Sequence, residues 1–377
     1  MTHPAKHIFI IAGEASGDIH AAHLVAALKA LSPDIRASGL GGRTMKDGGV
    51  ELFEDLTRFA VVGFVEVLKH YGEFRRIFDD FLRKAEKVRP DCVILVDYPG
   101  FNLRMARELK KRGIPVVYYI SPQVWAWKEN RVRLMKEFTD LILVLFRFEK
   151  DFYAKHGVPV EWVGHPLIDQ LPRPRAEVNR ASPVFGLLPG SRHKEVQNLL
   201  PPMLKAARLI RDQIPSAKFT VLKAGTIPQK MIEDLVLDLP FKVDIVRENV
   251  HDALNRCDAC LVASGTATLE TAVLNKPMIV VYRTAVLTWV LARLLIKIPC
   301  IGLVNVVAGE KIVPECIQFQ ATGPAIAREL LALWNDETRF KTIKSRLEDV
   351  RASLGPPGAS ARAAQAVLKL LSGNGQR

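Results

Sequence analysis

No apolar run in this sequence reaches the roughly 18–20 residues needed to span a bilayer. The longest, Ala285 to Ile298, is broken by Arg293 and Lys297. A secretory leader is not expected either, because Met1 to Lys6 leads straight into a short strand-like run, His7 to Ala12. These absences exclude a helix-spanning protein and point to a cytoplasmic one able to touch a membrane surface. Cysteine is scarce and odd in number: Cys92, Cys257, Cys260, Cys300 and Cys316. Without a secretory signal they are expected as reduced thiols. Cys257-Asp-Ala-Cys260 has metal-like spacing, but no second pair supplies the roughly four ligands of a zinc site. Burial as structural thiols is the reading for that pair. Aromatic RNA-binding motifs and recognition-helix patterns are also lacking, so nucleic acid is not an expected partner.

What the sequence does have is length and positive charge. At 377 residues it exceeds one ordinary core, so two domains are expected. Its 49% hydrophobic and 25% charged residues are ordinary for a folded soluble chain. The net charge of +13 is unevenly placed, +3 over residues 1–170 and +10 over residues 171–377. Anionic partners such as diphosphates or lipid head groups follow from that excess.

Short apolar runs alternate with amphipathic stretches almost throughout. Ile8–Ala12, Cys92–Val96, Val116–Ile120, Leu141–Leu145 and Val160–Val163 read as buried parallel strands. A break from Pro166 to Pro183 carries four prolines and little apolar content, and reads as a linker. The alternation restarts with Val184–Leu188, Lys218–Leu222, Lys242–Val246, Ala259–Ala263 and Met278–Val281. The expected fold is therefore α/β, two Rossmann-like doubly wound domains in series, residues 1–170 and 171–377. Ligand is expected in a cleft between them, at the carboxyl ends of the strands. A last helix, about 359–371, is set off by Gly355-Pro-Pro-Gly358 and could pack back on the first domain.

Four strand-end stretches carry candidate chemistry. Ala12-Gly-Glu-Ala-Ser-Gly-Asp18 follows the first strand and opens a helix that Asp18 could cap. It lacks the G-x-G-x-x-G spacing and could be a plain turn, but packing does not explain Glu14 and Ser16. Asp97 ends the strand Cys92–Val96, where a carboxylate could take a proton from an attacking hydroxyl. A turn-initiating Asp before Pro-Gly is the structural alternative. Gly190-Ser191-Arg192 precedes a helix and combines backbone N–H groups with a guanidinium, an arrangement suited to a diphosphate. Ser264-Gly265-Thr266-Ala-Thr-Leu-Glu270 repeats the device, with Glu270 placed to hold ribose hydroxyls. Two such loops in one domain point to a bound nucleotide. Ser121-Pro-Gln-Val-Trp-Ala-Trp-Lys128 adds two tryptophans, equally suited to a sugar or lipid site and to core packing.

Val61 to Lys87 is the membrane candidate. Its apolar residues, among them Val65, Leu68, Phe74, Ile77, Phe78 and Phe81, alternate with Lys69, Arg75, Arg76, Arg83, Lys84 and Lys87. That suits a helix in an anionic lipid interface, although a helix packed on its own sheet gives the same pattern. Leu287 to Ile298 is a second candidate of this kind.

Together these stretches resemble the lipid A disaccharide synthases, glycosyltransferases of the GT-B fold. The matching segments are AGEASGD at 12–18, VVGFVEVL at 61–68, PGFN at 99–102 after Asp97 and SPQVWAWK at 121–128. VGHPL at 163–167, LLPGSR at 187–192 with Glu195, SGTATLE at 264–270, KPMIVVYR at 276–283 and GLVNVVAGE at 302–310 continue the series. The resemblance implies an inverting transfer from UDP-diacylglucosamine to lipid X, a diacylglucosamine 1-phosphate, with release of UDP. It implies Asp97 as base with Glu14 and Ser16 beside the acceptor. Ser191, Arg192 and Ser264–Thr266 would hold the leaving diphosphate, Glu270 the ribose, and Asn305 would match a family asparagine. Val304 stands where the family often has proline. No cofactor is implied, and no Asp-x-Asp pair is present to hold a diphosphate through a metal ion; helix N-termini and arginine would offset the charge. The implied setting is the inner face of the cytoplasmic membrane, touched through residues 61–87, and a homodimer is compatible with it.

Three alternatives share part of this pattern. A transferase adding N-acetylglucosamine to a polyprenyl-linked precursor shares fold and donor, but lacks the SPQVWAWK and AGEASGD combination. A UDP-sugar epimerase of the same fold needs no lipid-facing surface. A non-catalytic UDP-lipid-binding protein would not need Asp97, Glu14 and Arg192 intact.

Overall fold

The computed structural model of the chain describes residues 6–59, 71–122, 130–285, 289 and 300–373. The chain divides into two compact units, Met1–Asp169 with Leu354–Arg377, and Gln170–Ser353.

Unit 1 is built on β1 (His7–Ala12), β2 (Arg36–Gly41), β3 (Glu51–Asp55), β4 (Cys92–Val96), β5 (Val116–Tyr119), β6 (Leu141–Val144) and β7 (Val160–Trp162). They form one parallel sheet in the order β3-β2-β1-β4-β5-β6-β7. The central strands are continuous apolar runs because both faces are covered; every residue of β4 is buried. The helix Ala15–Leu31 buries Ala21, Leu24, Val25 and Leu28. It packs against the helix Ala359–Gly373, whose buried Ala363, Ala364 and Val367 admit a close approach.

The helix Tyr71–Val88 corrects part of the membrane expectation. Its apolar residues recur every three or four positions, as for any surface helix. Ile77, Phe81, Leu82 and Ala85 are buried in the unit's own core, where Phe81 meets Phe9 and Phe53 edge-on or tilted. Outward, Arg75 pairs with Asp79, and Arg76 with Asp80 and Glu54. The buried part of the apolar stripe of 71–87 is thus packed within unit 1, with Phe74 and Phe78 partly buried against it. Residues 61–70, the tryptophans of SPQVWAWK and most of Leu287–Ile298 lie outside the described residues. Among the described residues no helix is long and apolar enough to cross a membrane.

Unit 2 contains β8 (Val184–Leu188), β9 (Lys218–Leu222), β10 (Val243–Val246), β11 (Ala259–Ala263), β12 (Met278–Tyr282) and β13 (Glu315–Ile317). These form a second parallel sheet, ordered β10-β9-β8-β11-β12-β13. The described cysteines are all buried and free, Cys257 and Cys260 included.

In both sheets the strand order reverses once. The reversal lies between β1 and β4 in unit 1 and between β8 and β11 in unit 2. Loops leaving the carboxyl ends of such a strand pair diverge to opposite faces and open a crevice, the usual ligand position in a parallel sheet.

Candidate functional site

In unit 1 the two loops at the reversal are Gly13–Glu14 after β1, with Ser16 in the first turn of the helix that follows, and Asp97–Tyr98 after β4. Glu14 is the first residue outside the helix Ala15–Leu31, with extended backbone and no capping bond from its side chain. Glu14 and Ser16 are both exposed, so neither is consumed by packing. Asp18 does not cap this helix as expected; it lies inside it. Its buried carboxylate accepts from the backbone N–H groups of Gly42 (2.6 Å), Thr44 (2.9 Å) and Met45 (3.3 Å), tying the loop after β2 to the helix.

Asp97 and Tyr98 both adopt left-handed backbone, with φ of 46° and 48°. Such conformations cost about 1–3 kcal/mol each and persist only where neighbours enforce them. Here the enforcers are visible. The carbonyl of Asp97 accepts from Tyr118 Oη (2.7 Å) and Asn102 Nδ2 (2.8 Å), and Asn102 also donates to the Val96 carbonyl (3.1 Å). Asn102 is fully buried on the first turn of the helix Pro99–Lys111. The Tyr98 ring then lies across Gly13, where a Cβ would come within 2.3 Å of a ring carbon. Only glycine lets the two switch-point loops meet this closely.

The result is a half-buried carboxylate at a strand end. Burial first, and the negative charge of Glu14 second, push Asp97 up to about 6, partly offset by a backbone hydrogen bond at Tyr98. A carboxylate tuned near neutrality is deprotonated at cellular pH yet basic enough to accept a proton in a reaction. Sequence reasoning placed Asp97 and Glu14 here but missed Asn102, Tyr98 and Tyr118. The Asn of PGFN, six residues past the strand end on a Pro-initiated helix, was the available signal.

In unit 2 the corresponding loops are 189–192 after β8 and Ser264–Thr266 after β11. Gly190 has φ of 110°, and a Cβ there would lie 2.5 Å from Glu195 Oε2. That space lets Glu195 reach back from the first turn of the helix His193–Gln213. It accepts from Ser191 N–H (3.2 Å) and holds Arg192 (3.2 Å). Arg192 keeps 82% of its side chain exposed, free to meet a ligand oxygen. Thr226, from the loop after β9, donates to the Ser191 carbonyl (2.6 Å).

The second loop is equally open: nothing lies within 4 Å of a Cβ built on Gly265. Thr268 Oγ1 donates to the Gly265 carbonyl (2.7 Å), and Ser264 Oγ to the Ile301 carbonyl (2.9 Å). Glu270 sits in the early turns of the helix Ala267–Val273, 3.5 Å from His251 Nε2, whose pKa it raises. His251 lies in the first turn of the helix Val250–Arg256 and was missed in the sequence, because it stands five residues past the end of β10 rather than at it. Two helix N-termini, an exposed guanidinium and small residues thus surround the strand-order reversal of unit 2.

Asn305 falls elsewhere than the resemblance implied. It is buried, with Nδ2 donating to the Val313 carbonyl (3.0 Å) and Glu315 (2.9 Å). Its Oδ1 accepts from Ile312 N–H (2.9 Å) and Val313 N–H (3.0 Å). Its side chain is therefore occupied within the fold and presents nothing to a ligand. Val304, in the place of the family's proline, uses its N–H toward Thr268 Oγ1 (3.3 Å), a bond proline could not donate.

With this geometry in hand, the comparisons with known proteins discriminate among readings that share the fold. A profile of the lipid-A-disaccharide synthetase family matches residues 8–370. The lipid-A-disaccharide synthase of Syntrophus aciditrophicus (strain SB) is 43% identical, over 97% of this chain and 98% of its own. The chain belongs to the lipid-A-disaccharide synthetase family. It is accordingly a glycosyltransferase of lipid A biosynthesis. Solved structures place the synthetase family's fold among its neighbours: Acinetobacter baumannii MurG matches with a TM-score of 0.58 at 14% identity, covering 97% of this chain and 99% of that one. A UDP-GlcNAc 2-epimerase from Neisseria meningitidis bound to UDP-GlcNAc matches at 0.63 and 15%, with coverage of 97% and 100%. At such identities these likenesses show the GT-B fold alone. The transferase and epimerase alternatives thus share the synthetase's architecture but not its sequence.

Proposed function

We propose that the chain transfers the sugar of UDP-2,3-diacylglucosamine to the primary hydroxyl of 2,3-diacylglucosamine 1-phosphate, giving lipid A disaccharide 1-phosphate and UDP with inversion at the anomeric carbon. Asp97 takes the proton from the acceptor hydroxyl as its oxygen bonds to the anomeric carbon. The bond from that carbon to the UDP oxygen breaks, and Arg192 with the Ser191 and Ser264–Thr266 loops receives the diphosphate charge. Glu270 holds the ribose; Glu14 and Ser16 stand on the acceptor side. The observation that carries this reading is the pairing of functions with topology. The base-bearing loops of unit 1 and the anion-binding loops of unit 2 both fall at strand-order reversals.

Purified protein incubated with both lipids should release UDP and disaccharide 1-phosphate in equal amounts. Absence of both products in the wild type defeats the assignment. For the setting we propose the inner face of the cytoplasmic membrane, reached through residues 61–70, which precede in sequence the exposed Arg75, Arg83 and Lys87. Val65→Ser with Leu68→Ser should reduce sedimentation with anionic phospholipid vesicles; unchanged sedimentation counts against this contact.

A further inference from the structure

We infer that Glu315 is a positioning residue for the loop that receives the donor diphosphate, acting through residues 301–305 rather than by touching ligand. The inference rests on the reading of Ser264–Thr266 as part of the donor site. Glu315 is buried at the start of the edge strand β13, an unusual place for a carboxylate without a task. Three donors converge on it: Gly302 N–H at 2.8 Å, Asn305 Nδ2 at 2.9 Å and Ile301 N–H at 3.2 Å from each carboxyl oxygen.

Those donors belong to the segment that braces the donor loop. The Ile301 carbonyl accepts from Ser264 Oγ, and Val304 N–H donates to Thr268 Oγ1, which in turn donates to the Gly265 carbonyl. Glu315 fixes one side of the Ile301 peptide and Ser264 takes up the other. Asn305 completes the frame by tying Glu315 to the 312–313 backbone. Gly265 is open to solvent with φ of 148°, so no side-chain packing at Gly265 itself holds the loop in shape. The hydrogen-bonded frame behind it does. Pre-set N–H groups bind an anion without first being ordered, so loosening the frame should weaken donor binding while leaving acceptor binding alone.

Glu315→Gln keeps shape but turns one acceptor into a donor facing the Ile301 N–H group. In calorimetry with UDP, and in steady-state assays with both lipids, this variant should raise the UDP Kd and the donor KM roughly five- to tenfold. The acceptor KM should stay constant. A double-mutant cycle with Ser264→Ala should be strongly non-additive, the double variant binding UDP about as well as the weaker single one. Thr268→Val, which cuts the second strap and leaves Glu315 intact, should shift the donor KM in the same direction and decides the matter if Glu315→Gln fails to fold. Additive effects with Ser264→Ala, or a lowered melting temperature with unchanged UDP Kd and donor KM in both variants, overturn the inference. Failure of the wild type to bind UDP instead overturns the donor-site reading beneath it.

Discussion

The two units use one topological device for opposite electrostatic ends. In unit 1 the reversal between β1 and β4 is closed in: the Tyr98 ring covers Gly13, and Asp97 is partly withdrawn from water. Desolvation dominates its titrating groups. Asp97 is pushed up to about 6, while burial lowers His20 to about 4 and His165 to about 3. Each shift favours the neutral form, the signature of low local polarity. In unit 2 the reversal between β8 and β11 is open, Arg192 is largely exposed and the loops end in free helix N-termini. There the fold offers donors to charge that arrives with the ligand. A parallel sheet thus fixes where a site lies, and the side chains over the reversal decide whether it tunes a proton or binds an anion.

The comparison breaks most visibly at Asp97. Asp97→Asn should lower kcat about 10³-fold, the scale of a lost general base, with the UDP Kd unchanged. A variant with full turnover would remove proton transfer from unit 1. Arg192→Ala should act the other way, raising the UDP Kd about 10- to 100-fold through loss of a charge-assisted contact. Equal UDP binding by wild type and variant would remove the anion cradle from unit 2.

A smaller effect sharpens the contrast. If Asp97 is the base, kcat/KM rises with pH and levels off above about 6. Glu14→Gln removes a like charge that raises the Asp97 pKa, so the acid limb should move to lower pH. An unmoved or upward-moving limb would deny the coupling. The sign for stability runs opposite to that for activity. Because the folded state holds this proton more tightly than the unfolded chain, the contribution of Asp97 to stability is present below about 4. It is lost as pH rises through about 6. As a base Asp97 would act in the protonation state that the fold favours less.

Most of this was legible in the sequence where function and local pattern coincide. Cys92–Val96, Val184–Leu188 and Ala259–Ala263 announce themselves because strands covered on both faces are unbroken apolar runs. The strand Arg36–Gly41 carries two glycines, a serine and an arginine, and Glu51–Asp55 is a charged edge strand, so neither has that signature. Glu315–Ile317 is too short to show any period. Among the candidate site residues, Asp97, Glu14, Arg192 and Ser264 stand out in the sequence because they lie at or a few residues past the end of an apolar strand. Asp18, Asn102, Asn305 and Glu315 were not, since their partners are backbone groups distant or hidden in the chain. An acidic residue in a sequence reads as solvated until the N–H groups that surround it are known.

The helix Ala359–Gly373 has a consequence for how the molecule is made. Unit 1 is discontinuous in sequence, taking its strands from before unit 2 and one helix from after it. Until residues 354–373 emerge, the helix Ala15–Leu31 lacks the neighbour that packs against it, whereas unit 2 has its whole sequence by Ser353. Domains commonly complete in the order of their synthesis. Here the sequence order is interleaved: residues 354–373 of unit 1 are made only after the whole of unit 2.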